Sequence, residues 1–224
     1  MHQCKLPLFS QVELVNKLSS ARVASIQVFG DSLVQEVSFN SRHFLTNKIH
    51  VEEHQKEFES MCMGQVSEVL AKPKKGEKVV VVENMRLAHK IWHTPLAVFE
   101  QELDNYVKNY ATMVRNCLGL SPEDVVGIFY GGYPIHHMRD IPVKEKEEYW
   151  ITGDRMRQYD AAAWSKLKAL PNWHYQDNQR ALDPYVEASW DGFHFLQVMY
   201  KIGGASKLMT LIALDIALAA LGAL

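Results

Sequence analysis

VASIQVFGDSL, residues 23–33, is the stretch that decides the fold: seven mostly apolar residues end at a glycine turn. A short apolar run bounded by Gly30 predicts a buried strand. Two further runs, Val79–Val82 (VVVV) and Val125–Tyr130 (VVGIFY), have the same character. Unbroken β-branched runs are typical of parallel strands buried on both faces. Helical patterns separate these strands, so the sequence predicts a layered α/β fold with a mostly parallel sheet.

The best helical pattern follows Thr94 and Pro95, which suit an N-cap and a first helical position. Apolar residues then recur at three- and four-residue steps from Leu96 to Cys117, and Gly119 ends the pattern. Other segments predicted from their composition are a polar helix over residues 51–70, a helix over residues 155–170 and a loop over residues 172–189.

Composition excludes several classes of protein. The 224 residues are 47% apolar and 22% charged, which predicts one folded domain rather than a disordered chain. With 24 basic and 26 acidic residues the net charge is −2, so no electrostatic footprint for nucleic acid exists. Three cysteines allow at most one intrachain pair, and Cys117, on the apolar stripe, is expected to be a buried free thiol.

The chain ends are ambiguous about the compartment. The first residues lack the pattern of a signal peptide and no Asn-x-Ser/Thr sequon occurs, which suits a cytosolic protein or a chain cut from a longer one. Residues 208–224, LMTLIALDIALAALGAL, are apolar apart from Thr210 and a central Asp215. This segment is short for a membrane span, so a buried terminal helix is favoured and a membrane anchor stays open.

Chemistry is expected at Ser32, directly after the first strand and its glycine turn. This position lies at the carboxyl edge of the sheet, where active sites of open α/β folds occur. The amides of the following helix could stabilise an oxyanion there. A serine at such a position also serves as a helix N-cap with no catalytic role.

A second pattern, Asp191-Gly-Phe-His194, supports the catalytic interpretation. A carboxylate three residues before a histidine can orient the imidazole towards a nucleophile. With Ser32 it gives the chain order Ser, Asp, His, which is one of the known triad orders.

Gly-Asp-Ser-Leu at 30–33 with a terminal Asp-x-x-His resembles the SGNH (GDSL-type) hydrolase superfamily. CKLPLF at residues 4–9 narrows the resemblance to the PC-esterase family, which includes the plant trichome birefringence-like acyltransferases. Looser matches are VVVVENMRLAH (79–89), FYGGYPIHH (129–137) and LDP (182–184). The resemblance implies a three-layer SGNH-hydrolase (flavodoxin-like) fold, with a catalytic domain over residues 1–200 and an apolar helix over 201–224 that is buried or membrane-anchoring.

The resemblance also implies roles for individual residues: Ser32 as nucleophile, His194 as base, Asp191 as its orienting partner, the Ser32 amide and the Asn84 side chain as oxyanion donors, and Asp31, His89, His136 and His137 as substrate-binding residues. The sequence departs from the family where Met85 and Arg86 follow Asn84 in place of glycine. The segment that usually precedes the CKLPLF block is missing, which suggests a truncated chain.

The function that the resemblance implies is ester hydrolysis or acyl transfer on acetyl esters of carbohydrates, through an acyl-serine and without metal or cofactor. The expected partner is a carbohydrate or other acyl ester, with membrane contact possible through the terminal helix. The family suggests the secretory pathway, whereas the missing leader suggests the cytoplasm. Two alternatives remain: an inactive member that binds glycan or protein, and a zinc peptidase in which His50 and His54 of an H-x-x-E-H pattern share a helix face.

Overall fold

The computed structural model describes residues 9–45, 48–63, 72–134, 152–184 and 204–224, with only the backbone described at residues 33 and 204–206. Within these ranges five strands form one sheet in the order β2-β1-β3-β4-β5, and every pairing is parallel. The strands are β1 (Val23–Phe29), β2 (His50–His54), β3 (Lys78–Glu83), β4 (Val125–Tyr130) and β5 (Trp173–Gln176). This order is that of flavodoxin-like folds, and it confirms the predicted α/β architecture.

Helices cover both faces of the sheet, which gives three layers. One face carries α1 (Gln11–Ser20), α2 (Ser32–Leu45) and α8 (Gly204–Ala220), which contact one another. The other carries α3 (Phe58–Cys62), α4 (Leu87–His93), α5 (Leu96–Met113) and α6 (Gly153–Leu167), and α7 (Asn178–Leu182) contacts α8.

The alternation of side chains along the strands shows which helix covers which face. Glu53 of β2 accepts a hydrogen bond from Ser38 of α2 at 2.7 Å. Glu83 of β3 accepts one from Tyr106 of α5 at 2.6 Å. Glu53 pairs with Val28, and Glu83 pairs with the next residue along β1. These two carboxylates therefore point to opposite faces of the sheet.

The long helix α5 begins one residue later than the pattern predicts, because Pro95 rather than Thr94 occupies the N-cap. Its buried side chains are Phe99, Leu103, Tyr106, Tyr110 and Met113. A π-helical turn, Val114–Leu118, continues it to Gly119, whose φ of 66° ends the helix as expected. The helix predicted over 155–170 is α6, which starts after the N-cap Thr152.

The polar helix predicted over residues 51–70 is wrong in its first half, and residues 64–70 lie outside the described residues. Residues 50–54 form β2, and only the five-residue α3 is helical among residues 48–63. Parallel pairing with β1 overrides the weak helical propensity of this segment. His50 and His54 therefore lie on a strand, which removes the helical zinc motif. In the described part of the chain, no group of three or more His, Cys, Asp or Glu side chains could hold a metal ion.

The loop predicted over residues 172–189 is also wrong in its first half. Trp173–Gln176 forms the edge strand β5, and α7 follows it. Four residues are too few for a periodic signal, and pairing with β4 fixes the strand. The expectation of a free Cys117 thiol is wrong as well. Cys117 is buried and forms a disulfide with Cys62, with Cα atoms 5.4 Å apart, so α3 is joined to the end of α5.

The C-terminal helix α8 packs against α2, β4 and β5. Its side chains facing the sheet are fully buried: Met209, Ala213, Leu214, Ala217 and Leu218. Asp215 is 8% exposed, and burial raises the pKa of its carboxyl to about 6. No helix in the described residues is long and apolar enough to cross a membrane.

Candidate active site

The ends of β1 and β3 form a crevice at the carboxyl edge of the sheet, where ligands bind in flavodoxin-like folds. Ser32 is the first residue of α2 at this edge, and its side chain is exposed. Gly30, which precedes it by two residues, has a φ of 143°. A Cβ atom there would overlap Oδ1 of Asn84. Glycine is therefore required for the side chain of Asn84 to lie this close to the turn after β1.

Asp31 links the serine loop to the start of α4. Its carboxylate accepts a hydrogen bond from Nδ2 of Asn84 at 2.5 Å and another from the backbone N–H of Ala88 at 3.0 Å. The N-cap residue of α4, Arg86, makes no side-chain capping bond. Asp31 therefore caps α4 from a distant part of the chain. Its carboxylate accepts from a backbone N–H group of the first helical turn, and its negative charge lies at the positive end of the helix dipole.

Asn84 is completely buried, and its amide fixes both neighbouring loops. Its Oδ1 accepts from the backbone N–H of Asp31 at 3.3 Å and from that of Arg86 at 3.0 Å. Met85 and Arg86 have φ values of 54° and 49°, in the region that favours glycine. Two residues larger than glycine thus make this turn, and the bond from Arg86 to Asn84 holds it.

His89 lies on the exposed side of α4, directly after Ala88 and so close to the Asp31 loop. Its ring is 4.6 Å from that of His93. Partial burial lowers the pKa of His89, and the positive charges of Arg86, His93 and Lys90 lower it further. The imidazole is therefore neutral near pH 7, a form that can accept or donate a hydrogen bond.

The crevice thus brings together Ser32, Asp31, Asn84 and the helix that carries His89, four of the positions singled out from the sequence. The other four are Asp191, His194, His136 and His137, which lie outside the described residues. The assembly of the triad, the oxyanion role of Asn84 and the substrate-binding roles of Asp31 and His89 stay predictions.

A buried acid behind the crevice escaped the sequence analysis. Glu83, immediately before Asn84, accepts from the hydroxyl of Tyr106 at 2.6 Å and from the backbone N–H of Phe58 at 3.0 Å. Burial raises the pKa of its carboxyl to about 8. Lys90 lies nearby and pairs with Glu57. The one signal in the sequence is a carboxylate directly after the apolar run 79–82.

The loop after β4 is also held by side-chain hydrogen bonds. Asn178 donates to the carbonyl of Gly131 at 2.6 Å, and Asp160 accepts from the N–H of Gly132 at 3.0 Å. Tyr133 donates to Glu36 of α2 at 3.3 Å. Because Glu36 lies one helical turn after Ser32, this bond joins the serine helix to the loop that leads towards His136 and His137.

Comparisons with known proteins bear on the fold. No protein-family model and no curated protein matched the chain. Among solved structures, it is similar to Est24, a carbohydrate acetylesterase from Sinorhizobium meliloti, with a TM-score of 0.52 and 12% identity over 88% of this chain and 99% of that one. This likeness supports the three-layer α/β fold with its parallel sheet. The chain is also similar to a lipase/acylhydrolase from Enterococcus faecalis, with a TM-score of 0.45 and 18% identity over 85% of this chain and 94% of that one. A third similar structure is phospholipase A1 from Streptomyces albidoflavus NA297, with a TM-score of 0.43 and 9% identity over 77% of this chain and 92% of that one.

Proposed function

We propose that this chain is a serine esterase of the PC-esterase type that removes or transfers acetyl groups on carbohydrate hydroxyls. The observation that carries the proposal is the position of Ser32. Its side chain is exposed at the N-terminus of α2, between the carboxyl ends of β1 and β3, in a loop tied down by Asp31 and Asn84. This is the place where the fold supports catalysis.

In the proposed reaction, Oγ of Ser32 forms a bond to the acyl carbon while its proton passes to His194, which Asp191 orients. The tetrahedral intermediate then breaks the bond to the sugar oxygen, and the proton moves from His194 to that leaving alcohol. Water, or the hydroxyl of a second sugar, attacks the acyl-serine through the same histidine. Ser32 then recovers its proton, and acetate or a new acetyl ester is released.

In this proposal the oxyanion of each intermediate accepts a hydrogen bond from the backbone N–H of Ser32, which lies in the first turn of α2, at the positive end of the helix dipole. Asn84 supplies a second donor in this proposal. A side-chain amide has two N–H groups, and the bond to Asp31 uses one of them.

The test combines ester hydrolysis with labelling by a fluorophosphonate probe, which reacts with an activated serine. The wild-type chain is expected to hydrolyse p-nitrophenyl acetate and acetylated xylo-oligosaccharides and to take up the label, whereas Ser32→Ala loses both. Ser20→Ala, an exposed serine on α1, is the matched control. Equal hydrolysis by Ser32→Ala and the wild type contradicts the proposal. Adding a non-acetylated acceptor oligosaccharide distinguishes transfer from hydrolysis.

A second candidate is an inactive member that only binds glycan or protein. It is favoured by the complete burial of Asn84 and by its engagement with Asp31. For this candidate the fluorophosphonate leaves Ser32 unlabelled while binding of oligosaccharide persists.

A further inference from the structure

A cavity of about 690 Å³ lies away from the Ser32 crevice, between α6, β5 and α7. Its volume is in the range of small-molecule sites, about 300–1,000 Å³. Pro134, after the end of β4, and Asp177, after the end of β5, contribute to its wall. The cavity therefore reaches the same carboxyl edge of the sheet as Ser32.

An aromatic stack forms one wall of this cavity. Trp164 of α6 stacks on Tyr175 of β5, with ring centroids 5.4 Å apart and planes at 19°. Tyr175 in turn stacks on Phe129, at 5.7 Å and 18°. Trp164 is partly exposed and lines the cavity, so two further rings hold the indole in a fixed plane. A fixed, half-exposed aromatic ring offers a flat apolar surface to a ligand.

A buried carboxyl in the cavity wall supplies a hydrogen-bond acceptor. Asp160 is 3% exposed, lines the cavity, and accepts from the N–H of Gly132 at 3.0 Å and from the hydroxyl of Tyr175. Each carboxylate oxygen has two lone pairs, so these bonds leave acceptor capacity on both. The same bonds keep the carboxyl in place when no ligand is bound, which reduces the entropy lost on binding.

Cationic donors complete the lining. Lys168 and Arg180 line the cavity, and within the described ranges neither side chain has an ion-pair partner. Among the described lining residues the formal charges balance, because three are cations and three are acids: Arg157, Lys168, Arg180, Asp160, Asp177 and Asp183. A balanced set of donors and acceptors beside an aromatic plane suits a ligand that is uncharged, rich in hydroxyls and apolar on one face. A pyranose ring has these properties.

The position of the cavity relative to Ser32 follows from the strand order. β4 and β5 lie two and three positions from β1, and neighbouring strands are about 4.8 Å apart, so the cavity is about 10–15 Å from the strand that carries Ser32. We propose that this cavity binds an uncharged sugar unit of an oligosaccharide whose acetylated unit lies at Ser32. The inference rests on the proposed function only in naming the acetylated oligosaccharide as the substrate.

Calorimetric titration of the full chain with xylohexaose or mannohexaose tests the site directly. Trp164→Ala is expected to raise Kd about tenfold, the equivalent of about 1.4 kcal/mol, and Trp164→Phe is expected to restore most of the affinity. Lys168→Met, which removes a donor from the lining, is expected to raise Kd severalfold. Lys166→Met is its control, since Lys166 is on the same helix but pairs with Asp104 of α5 instead.

An unchanged Kd in Trp164→Ala, or binding of hexagalacturonate in preference to the neutral hexasaccharides, overturns the inference. Failure of the proposed function gives a different result. Ser32→Ala is expected to keep the wild-type Kd for the hexasaccharides while losing hydrolysis of p-nitrophenyl acetate. A different outcome is that neither the wild type nor Ser32→Ala hydrolyses the ester, while both bind the hexasaccharide and Trp164→Ala weakens that binding as expected. In that case the esterase proposal fails and the sugar site stands.

Discussion

Asn84 and Asp31 are joined by two hydrogen bonds across the ends of two neighbouring strands, and each residue donates one of them. Nδ2 of Asn84 donates to the carboxylate of Asp31 at 2.5 Å, and Oδ1 of Asn84 accepts from the backbone N–H of Asp31 at 3.3 Å. The residue before the candidate nucleophile is thus held by the residue that follows β3. The geometry of the serine loop is therefore a property of the sheet rather than of the loop alone.

Removing this amide should affect both stability and activity. Asn84→Ala removes one of the donors to the Asp31 carboxylate and takes away the acceptor of the Arg86 N–H, which is expected to lower the free energy of unfolding by about 1–3 kcal/mol. Ester hydrolysis is expected to fall by about 10²–10³, because the same amide is the proposed oxyanion donor. Urea unfolding and ester assays measure the two effects. The exposed Asn16→Ala is the control, and full hydrolysis by Asn84→Ala contradicts the oxyanion role.

Two glycines with positive φ separate steric from conformational effects. Gly30→Ala places a Cβ against Oδ1 of Asn84, whereas Gly222→Ala, at a φ of 67°, meets nothing within 4 Å. The second variant is expected to cost about 1 kcal/mol for the left-handed conformation alone. Gly30→Ala should cost at least about 2 kcal/mol more, since the contact with Asn84 must break. Similar midpoints of urea unfolding for the two variants count against the close contact of Gly30 with the Asn84 side chain.

The disulfide should contribute to stability. Cys62 and Cys117 close a loop with a sequence separation of 55. Loss of a crosslink of this size in Cys62→Ser/Cys117→Ser is expected to lower the free energy of unfolding by about 2–4 kcal/mol. Peptide mapping without reductant checks the pairing itself and should recover one peptide pair joined through these two cysteines. Recovery of both as free thiols from freshly purified protein shows that the bond is not made.

Glu83 should make the free energy of unfolding depend on pH up to about pH 8. Burial raises its pKa in the folded chain to about 8, from an ordinary value of 4.5. Between these values the folded chain binds more protons than the unfolded chain, so the free energy of unfolding falls as pH rises, by at most about 1.4 kcal/mol per unit. Asp160 and Asp215, with pKa values raised to about 6, act in the same direction at lower pH.

The interval from pH 6.5 to 8 therefore reports mainly on Glu83. Glu83→Gln is expected to flatten the decline of stability in this interval, measured as the urea midpoint at successive pH values. Glu13→Gln is the control, since Glu13 is exposed and hydrogen bonds to Ser10 lower its pKa, which confines its effect to acid pH. A decline that persists in Glu83→Gln shows that another group causes it.

The sequence predicted the central strands well and the edge strands poorly, for a physical reason. β1, β3 and β4 are mostly apolar and are buried on both faces, so their runs are visible in the sequence without any knowledge of the fold. β2 and β5 are short and partly polar, and their conformation comes from pairing with a neighbour. The same distinction applies to the site. Ser32 and Asn84 follow apolar strands and were found, whereas the disulfide and the bonds of Asp160 depend on which helices are neighbours.

The parallel sheet also determines when the crevice can form during folding. Among the described strands every pairing is parallel, and β1 pairs with strands that begin at His50 and Lys78. Such contacts close long loops and form slowly compared with hairpins. Since Asp31 meets Asn84 only after β1 and β3 have paired, the crevice at Ser32 is assembled late. Recovery of the proposed esterase activity after dilution from denaturant is accordingly expected to be a stricter measure of complete folding than recovery of helical signal.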